Sequence, residues 1–341
     1  IVGYEIASRV VLGVGSIFDL VDGKAIPSNA TGFGQALIGG VAAVGRLLKF
    51  NQFEMENAIG IAGMHCPAPL SHRSITDMSM TKYQLDWAAA GACIAARLAQ
   101  GGQEGPRKFL DDDIFAHGLA RKYLNHSAMI ERLGERWCIC ETSIKPYPHC
   151  RHTHYAFDAL RDLVIKNNIH PEDVVEVNIK GLSSYGVLPW NVREPEDPFS
   201  AQFSLPYGVA MILLKIQPGP AWFSSQLIGS EKVKALANLV KTEADQTINE
   251  KIAQKLPEPL AEIPTTVTVI TKNDKYVNTI SFARGDNAGP TRLSDEEVIE
   301  KFVANAGAVL PQSQVEELKN EIWELENSND ITSISKLLRI P

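Results

Sequence analysis

From Phe33 to Leu48 the chain sets Leu37, Val41, Val44 and Leu48 at helical spacing and fills the positions between them with glycine and alanine. Such a stripe constrains the fold strongly, because small residues let two helix backbones approach where larger side chains would hold them apart. A second helix runs from about Lys82 to Gln100, with Leu85, Ala89, Cys93, Ala96 and Leu98 as its apolar part, and Gly101-Gly102 ends it. Ile1-Val-Gly-Tyr-Glu-Ile reads like the middle of a helix in a chain without an initial Met, so the natural N-terminus is expected to be missing. The GxG fragments at Gly13-Val14-Gly15 and Gly32-Phe33-Gly34 do not complete GxGxxG and read as turns.

The texture changes near residue 141. Thr142 to Tyr147 can form a short strand, and His152 to Lys166 is an amphipathic helix with Ala156, Ala159, Leu160 and Leu163 on one side. Val174 to Leu182 alternates through Val175, Val177 and Ile179 as a half-buried strand, and Ser204 to Ile216 is an apolar helix. Thr265 to Thr271 and Tyr276 to Phe282 flank Asn273-Asp274 as a β-hairpin. The tail returns to helix, with a capping box at Ser294–Glu297, a helix opened by Pro311, and a short one over Ile331 to Leu338. The expected class is mixed α and α+β: an all-helical domain from 1–140 plus 286–341, with an inserted or following α+β domain over 141–285.

Charge and cysteine usage narrow the function. With 33 basic against 40 acidic residues, the net charge of −7 argues against a nucleic-acid partner. No apolar run reaches the roughly 18 residues of a membrane span, and no signal segment opens the chain, so no membrane partner is expected. Five cysteines, an odd number without CxxC spacing, point to a reducing cytoplasm. Cys138 and Cys140 lie on a segment that reads as alternating.

The densest cluster of reactive groups is Lys145-Pro-Tyr-Pro-His149-Cys150-Arg151-His152-Thr153-His154, where a strand end meets a helix start. Free N–H groups and the helix dipole suit a carboxylate there, Lys145 and Arg151 add cationic charge, and His149, His152 and His154 can exchange protons near neutrality. Cys150 and the histidines are also metal-ligand types, but no second separated pair accompanies them, and no metal is expected. A Cys150 thiolate nucleophile is the other reading. Tyr207, in Ser200-Ala-Gln-Phe-Ser-Leu-Pro-Tyr207, offers a phenol or packs in the core. Lys82, just before a helix, is a substrate contact or a surface residue.

These segments resemble the MmgE/PrpD family, which includes 2-methylcitrate dehydratases, cis-aconitate decarboxylases and iminodisuccinate epimerases. The resemblance is carried by Ile144-Lys-Pro-Tyr-Pro-His-Cys-Arg-His-Thr-His154, by Ala201-Gln-Phe-Ser-Leu-Pro-Tyr207, by Met80-Thr-Lys82 with Trp87-Ala-Ala89, and by Asn57 to Gly63. It implies a helical domain built from both chain ends, an inserted α+β domain, and an active site in the cleft between them. It also implies a homodimer, no cofactor or metal, and a small di- or tricarboxylate substrate. Family members usually carry a further N-terminal stretch with an Asp-rich segment and a His, expected to be absent here. Cys150 stands where the decarboxylase branch tends to have His, and Gln84-Leu85-Asp86 stands where a His is common.

The reaction that follows from the resemblance is elimination of water, as in 2-methylcitrate dehydratase. Lys145 would bind a carboxylate and stabilise developing charge, His154 would be the favoured acid/base ahead of His149 and His152, and Tyr207 would hydrogen-bond the substrate or carry a proton. Lys82, Cys150 and Arg151 would line the substrate. Epimerisation, decarboxylation and a non-catalytic truncated relative are the alternatives.

Overall fold

The computed structural model describes residues 1–15, 18–21, 24–27, 33–65, 85–111, 124–255, 262–287 and 289–339. In chain order the helices are α1 (Val2–Val14), α2 (Phe33–Leu47), α3 (Gln52–Met64), α4 (Leu85–Gln100), α5 (His126–Ile130), α6 (His154–Lys166), α7 (Pro198–Ala201), α8 (Leu205–Leu213), α9 (Ser225–Ile228), α10 (Glu231–Asn238), α11 (Gln246–Lys255), α12 (Asp295–Ala306), α13 (Gln312–Trp323) and α14 (Thr332–Leu337). The strands are β1 (Phe18–Val21), β2 (Lys24–Pro27), β3 (Val174–Gly181), β4 (Val240–Ala244), β5 (Thr265–Thr271) and β6 (Lys275–Ile280). The mixed α and α+β class holds. Two compact units emerge: Ile1–Thr142 with Gln246–Leu260, and Ser143–Asp245 with Ala261–Pro341. This division differs from the sequence-based one, because α12 to α14 group with the second unit and α11 with the first.

In the first unit α1, α2 and α4 pack through small residues. A methyl group at Gly39 would come within 2.3 Å of the Gly3 carbonyl oxygen, and one at Gly40 within 2.8 Å of the Ala92 Cβ, so only glycine permits these approaches. Ala88, Ala92, Ala95, Ala96 and Ala99 make the buried face of α4, against Leu37, Ile38 and Val41 of α2. This shifts the face expected from the sequence: Ala89, Cys93 and Leu98 are exposed, because alanine rather than a bulkier residue fits the close contact. A buried ion pair between Arg9 and Glu5 (2.8 Å) anchors α1, and Arg9 also donates to the carbonyls of Met129, Glu131 and Arg136. Cys138 and Cys140 lie in a short 3₁₀ turn, Cys138–Glu141, instead of an alternating segment.

The second unit is built on a four-stranded sheet in the order β4-β3-β5-β6, with β3 and β4 parallel and the other pairs antiparallel. Helix α6 covers β5 and β6, and α8 packs on α6 and α10. Its apolar side buries Ala156, Phe157, Ala159, Leu160 and Leu163, as its periodicity dictates. A register shift between Val174 and Glu176 turns Val175 outward and Val174 inward, reversing the alternation expected at that end of β3. The hairpin turn is closed by Thr271 N–H donating to the Asp274 carbonyl at 2.8 Å. Residues 142–147 form no strand. They run as an irregular segment whose Ile144 N–H donates to the Gly285 carbonyl at 2.9 Å.

Candidate functional site

The Lys145–His154 segment lies wholly in the second unit and is gripped by residues 283–286, just past the hairpin. Gly285, at φ 74°, also donates to the Thr291 carbonyl at 2.6 Å, and a Cβ there would sit 1.9 Å from the Ile144 carbonyl oxygen. Only glycine allows that approach. Pro146 and Pro148 then stiffen the turn.

Tyr147 points inward. Its ring meets His154 and Phe157 edge-on at 5.1 and 5.5 Å, and its hydroxyl donates to Asp158 Oδ1 at 2.6 Å. The other oxygen of Asp158 accepts the Arg284 backbone N–H at 2.7 Å. Burial pushes the Asp158 carboxyl above its ordinary range, and the two donors partly offset this. Arg151 pairs with Asp286 at 3.1 Å and donates to the Arg284 and Ala283 carbonyls. Asp286 also accepts from Tyr155 and Ser143.

The three histidines occupy different environments. His149 is buried; its Nε2 donates to the Ser204 carbonyl at 3.1 Å, leaving Nδ1 against Thr153 Oγ1 at 2.7 Å. His154 is fully buried, with Nε2 donating to the His149 carbonyl at 3.3 Å and Nδ1 facing an Arg151 N–H at 3.4 Å. Burial first and Arg151 second hold it well below the usual imidazole range. His152 stacks on Trp190 at 6.0 Å, and burial, followed by the charge of Lys145, lowers it to about 4. All this favours neutral rings for His152 and His154 at physiological pH.

Cys150 accepts the Trp190 indole N–H at 3.3 Å, and its backbone N–H donates to the Gln202 carbonyl. Tyr207 is buried with its hydroxyl on the Trp222 carbonyl, and burial pushes it up to about 12. Lys145 is exposed. The structure thus brings Lys145 within electrostatic reach of His152 and of His154, and sets His149 and Tyr207 in the packed interior. Lys82 lies outside the described residues. Among the described residues no cluster of His, Cys, Asp or Glu has a metal-binding arrangement.

Sequence reasoning missed Asp158 and Asp286, the two carboxylates that brace the turn. Asp158 carried a readable signal, since it falls between Phe157 and Ala159 on the apolar side of α6, where a charge needs a partner. Asp286 carried none, because its partners lie 131 to 143 positions away.

Cis-aconitate decarboxylase of Homo sapiens is 25% identical over 314 residues, covering 89% of this chain and 61% of the human protein. Its Aspergillus terreus counterpart is 25% identical over 328 residues, covering 89% and 63%. The chain therefore spans about three-fifths of the length of the curated relatives it matches. The MmgE/PrpD N-terminal domain matches residues 1–128, which corrects the expectation that the family's N-terminal part is missing: that domain is represented here. The MmgE/PrpD C-terminal domain matches residues 147–327, taking in the turn from Tyr147 onward, the 283–286 grip and the first tail helices. With both domain models matched in chain order, the chain belongs to the MmgE/PrpD family.

Proposed function

We propose that this chain works as a lyase on a small di- or tricarboxylic acid, with Lys145 as the carboxylate anchor and His152 as the proton carrier. The observation that carries the reading is the charge pattern of the turn. Arg151 is neutralised by Asp286, while exposed Lys145 has no acidic partner among the described residues and acts on the half-buried imidazole of His152. A carboxylate bound at Lys145 would cancel that repulsion and raise the proton affinity of His152. The imidazole would then be better able to take up a proton as charge develops on the substrate.

Both lyase reactions of the family need these two parts. Loss of CO₂ breaks a C–C bond and leaves an electron pair on carbon that must be protonated. Loss of water needs a base for the proton beside the carboxylate and an acid for the departing hydroxide. The similarity to cis-aconitate decarboxylases favours decarboxylation; dehydration of a 2-methylcitrate-like acid is the second reading, because Cys150 stands where the decarboxylase branch tends to have His. His149, His154 and Tyr207 serve in this reading as buried supports of the turn. A homodimer fits an apolar groove of about 240 Å³ beside α4, where Trp87 is 71% exposed. A cytoplasmic setting fits the free thiols of Cys93, Cys138, Cys140 and Cys150.

The test is to incubate the full chain with cis-aconitate, 2-methylcitrate and citrate, and to follow products by proton NMR. Turnover of at least one acid, abolished in Lys145→Ala, is expected. Turnover unaffected by Lys145→Ala overturns the assignment, and binding of the acids without turnover in the unaltered chain favours a non-catalytic relative.

A further inference from the structure

The basic residues around the turn are not treated alike. Arg151 is held by Asp286, and Arg284 by Glu297 in the first turn of α12. Glu297 thereby brings α12 onto the 283–286 segment that grips the Lys145 turn. Lys301 follows Glu297 by four positions, so it lies on the same face of α12, one turn further on. Neither Lys145 nor Lys301 has an acidic partner among the described residues, and both are exposed. The Ile144–Gly285 hydrogen bond and the Arg284–Glu297 pair bring the two segments together, and desolvation first and the charge of Lys145 second lower the proton affinity of Lys301. Two cations are thus held on neighbouring segments at the protein surface while Arg151 and Arg284 are compensated. Holding like charges together costs free energy unless an anion joins them.

We infer that Lys301 is a second anion-binding residue of the Lys145 site, the two lysines taking two carboxylates of one di- or tricarboxylate. This rests on the carboxylate-lyase reading and deepens it. A monocarboxylate can satisfy one ammonium only, so the pair selects for substrates with at least two carboxylates. Lys301 acts through binding, and the proton chemistry stays with His152.

The experiment is calorimetric titration of citrate and of cis-aconitate into the full chain and into Lys145→Gln, Lys301→Gln and Lys301→Arg, with thermal melting to confirm that each variant is folded. Lys301→Gln should weaken both acids at least tenfold, and Lys301→Arg should recover most of that loss. In the NMR assay Lys301→Gln should raise KM with little change in kcat. Binding by Lys301→Gln equal to that of the unaltered chain, while Lys145→Gln has lost it, overturns the role of Lys301 and leaves the Lys145 site standing. Binding that Lys145→Gln also leaves unchanged overturns the site and this inference with it.

Discussion

The Tyr147 hydroxyl donates to Asp158 at 2.6 Å, fastening the turn that carries Lys145 to the buried face of α6. Asp158 accepts the Arg284 N–H with its other oxygen, so one carboxylate holds the turn and the 283–286 segment together. Removing the phenol should expose how much the turn depends on this bond. Tyr147→Phe is expected to lower stability by about 1–3 kcal/mol, measured by urea denaturation, since it leaves a buried carboxylate oxygen short of a donor. An unchanged midpoint would mean that water replaces the hydroxyl.

Asp158→Asn tests the same bond from the other side. Both oxygens of Asp158 accept, and an amide presents an N–H to one of the two donors. The variant should be less stable than the parent by about 1–3 kcal/mol despite its near-identical shape.

Stability should fall on acidification in a window set by the imidazoles of His152 and His154. His152 is lowered from 6.5 to about 4, and His154 is lowered as well. The unfolded chain therefore binds more protons than the folded one as pH drops below 6.5. The stabilisation is fully present above that value and is lost as pH falls toward 4. Denaturation midpoints recorded between these limits should decline for the parent and decline less steeply for His152→Asn.

Tyr207→Phe separates a structural phenol from a reacting one. The hydroxyl is donated to the Trp222 carbonyl inside the unit, so the variant should lose about 1–3 kcal/mol of stability. In the lyase assay it should keep most of its turnover. Loss of turnover with an unchanged melting temperature would return Tyr207 to the reaction itself.

Gly285→Ala should be severe. The residue has φ 74°, and the new Cβ would meet the Ile144 carbonyl oxygen at 1.9 Å. Backbone strain alone costs of order 1–3 kcal/mol, and the clash adds to it by displacing Ile144. A lower melting temperature together with weakened citrate binding is the expected result.

Much of this was legible in the sequence because it depends on local patterns. The glycine and alanine of Phe33–Leu48 announced close helix packing, the periodicity of α6 fixed its buried face, and the Ser294 capping box marked the start of α12. The buried face of α4 was misplaced because bulk, the usual guide to a core, points the wrong way where alanines make the contact. Within the site, the sequence exposed the reactive groups but not their sorting. Nothing local says that Arg151 is spent on Asp286 while Lys145 has no acidic partner among the described residues, since the residues that decide it stand far along the chain.

That separation bears on how the protein is made. The Ile144–Gly285 and Arg151–Asp286 contacts join positions more than 130 residues apart, and α12 follows later still. A ribosome that has released the Lys145 turn has yet to synthesise what shapes it. The nascent turn must wait uncommitted until the hairpin and its trailing segment emerge, which places assembly of this centre among the last events in the maturation of the second unit.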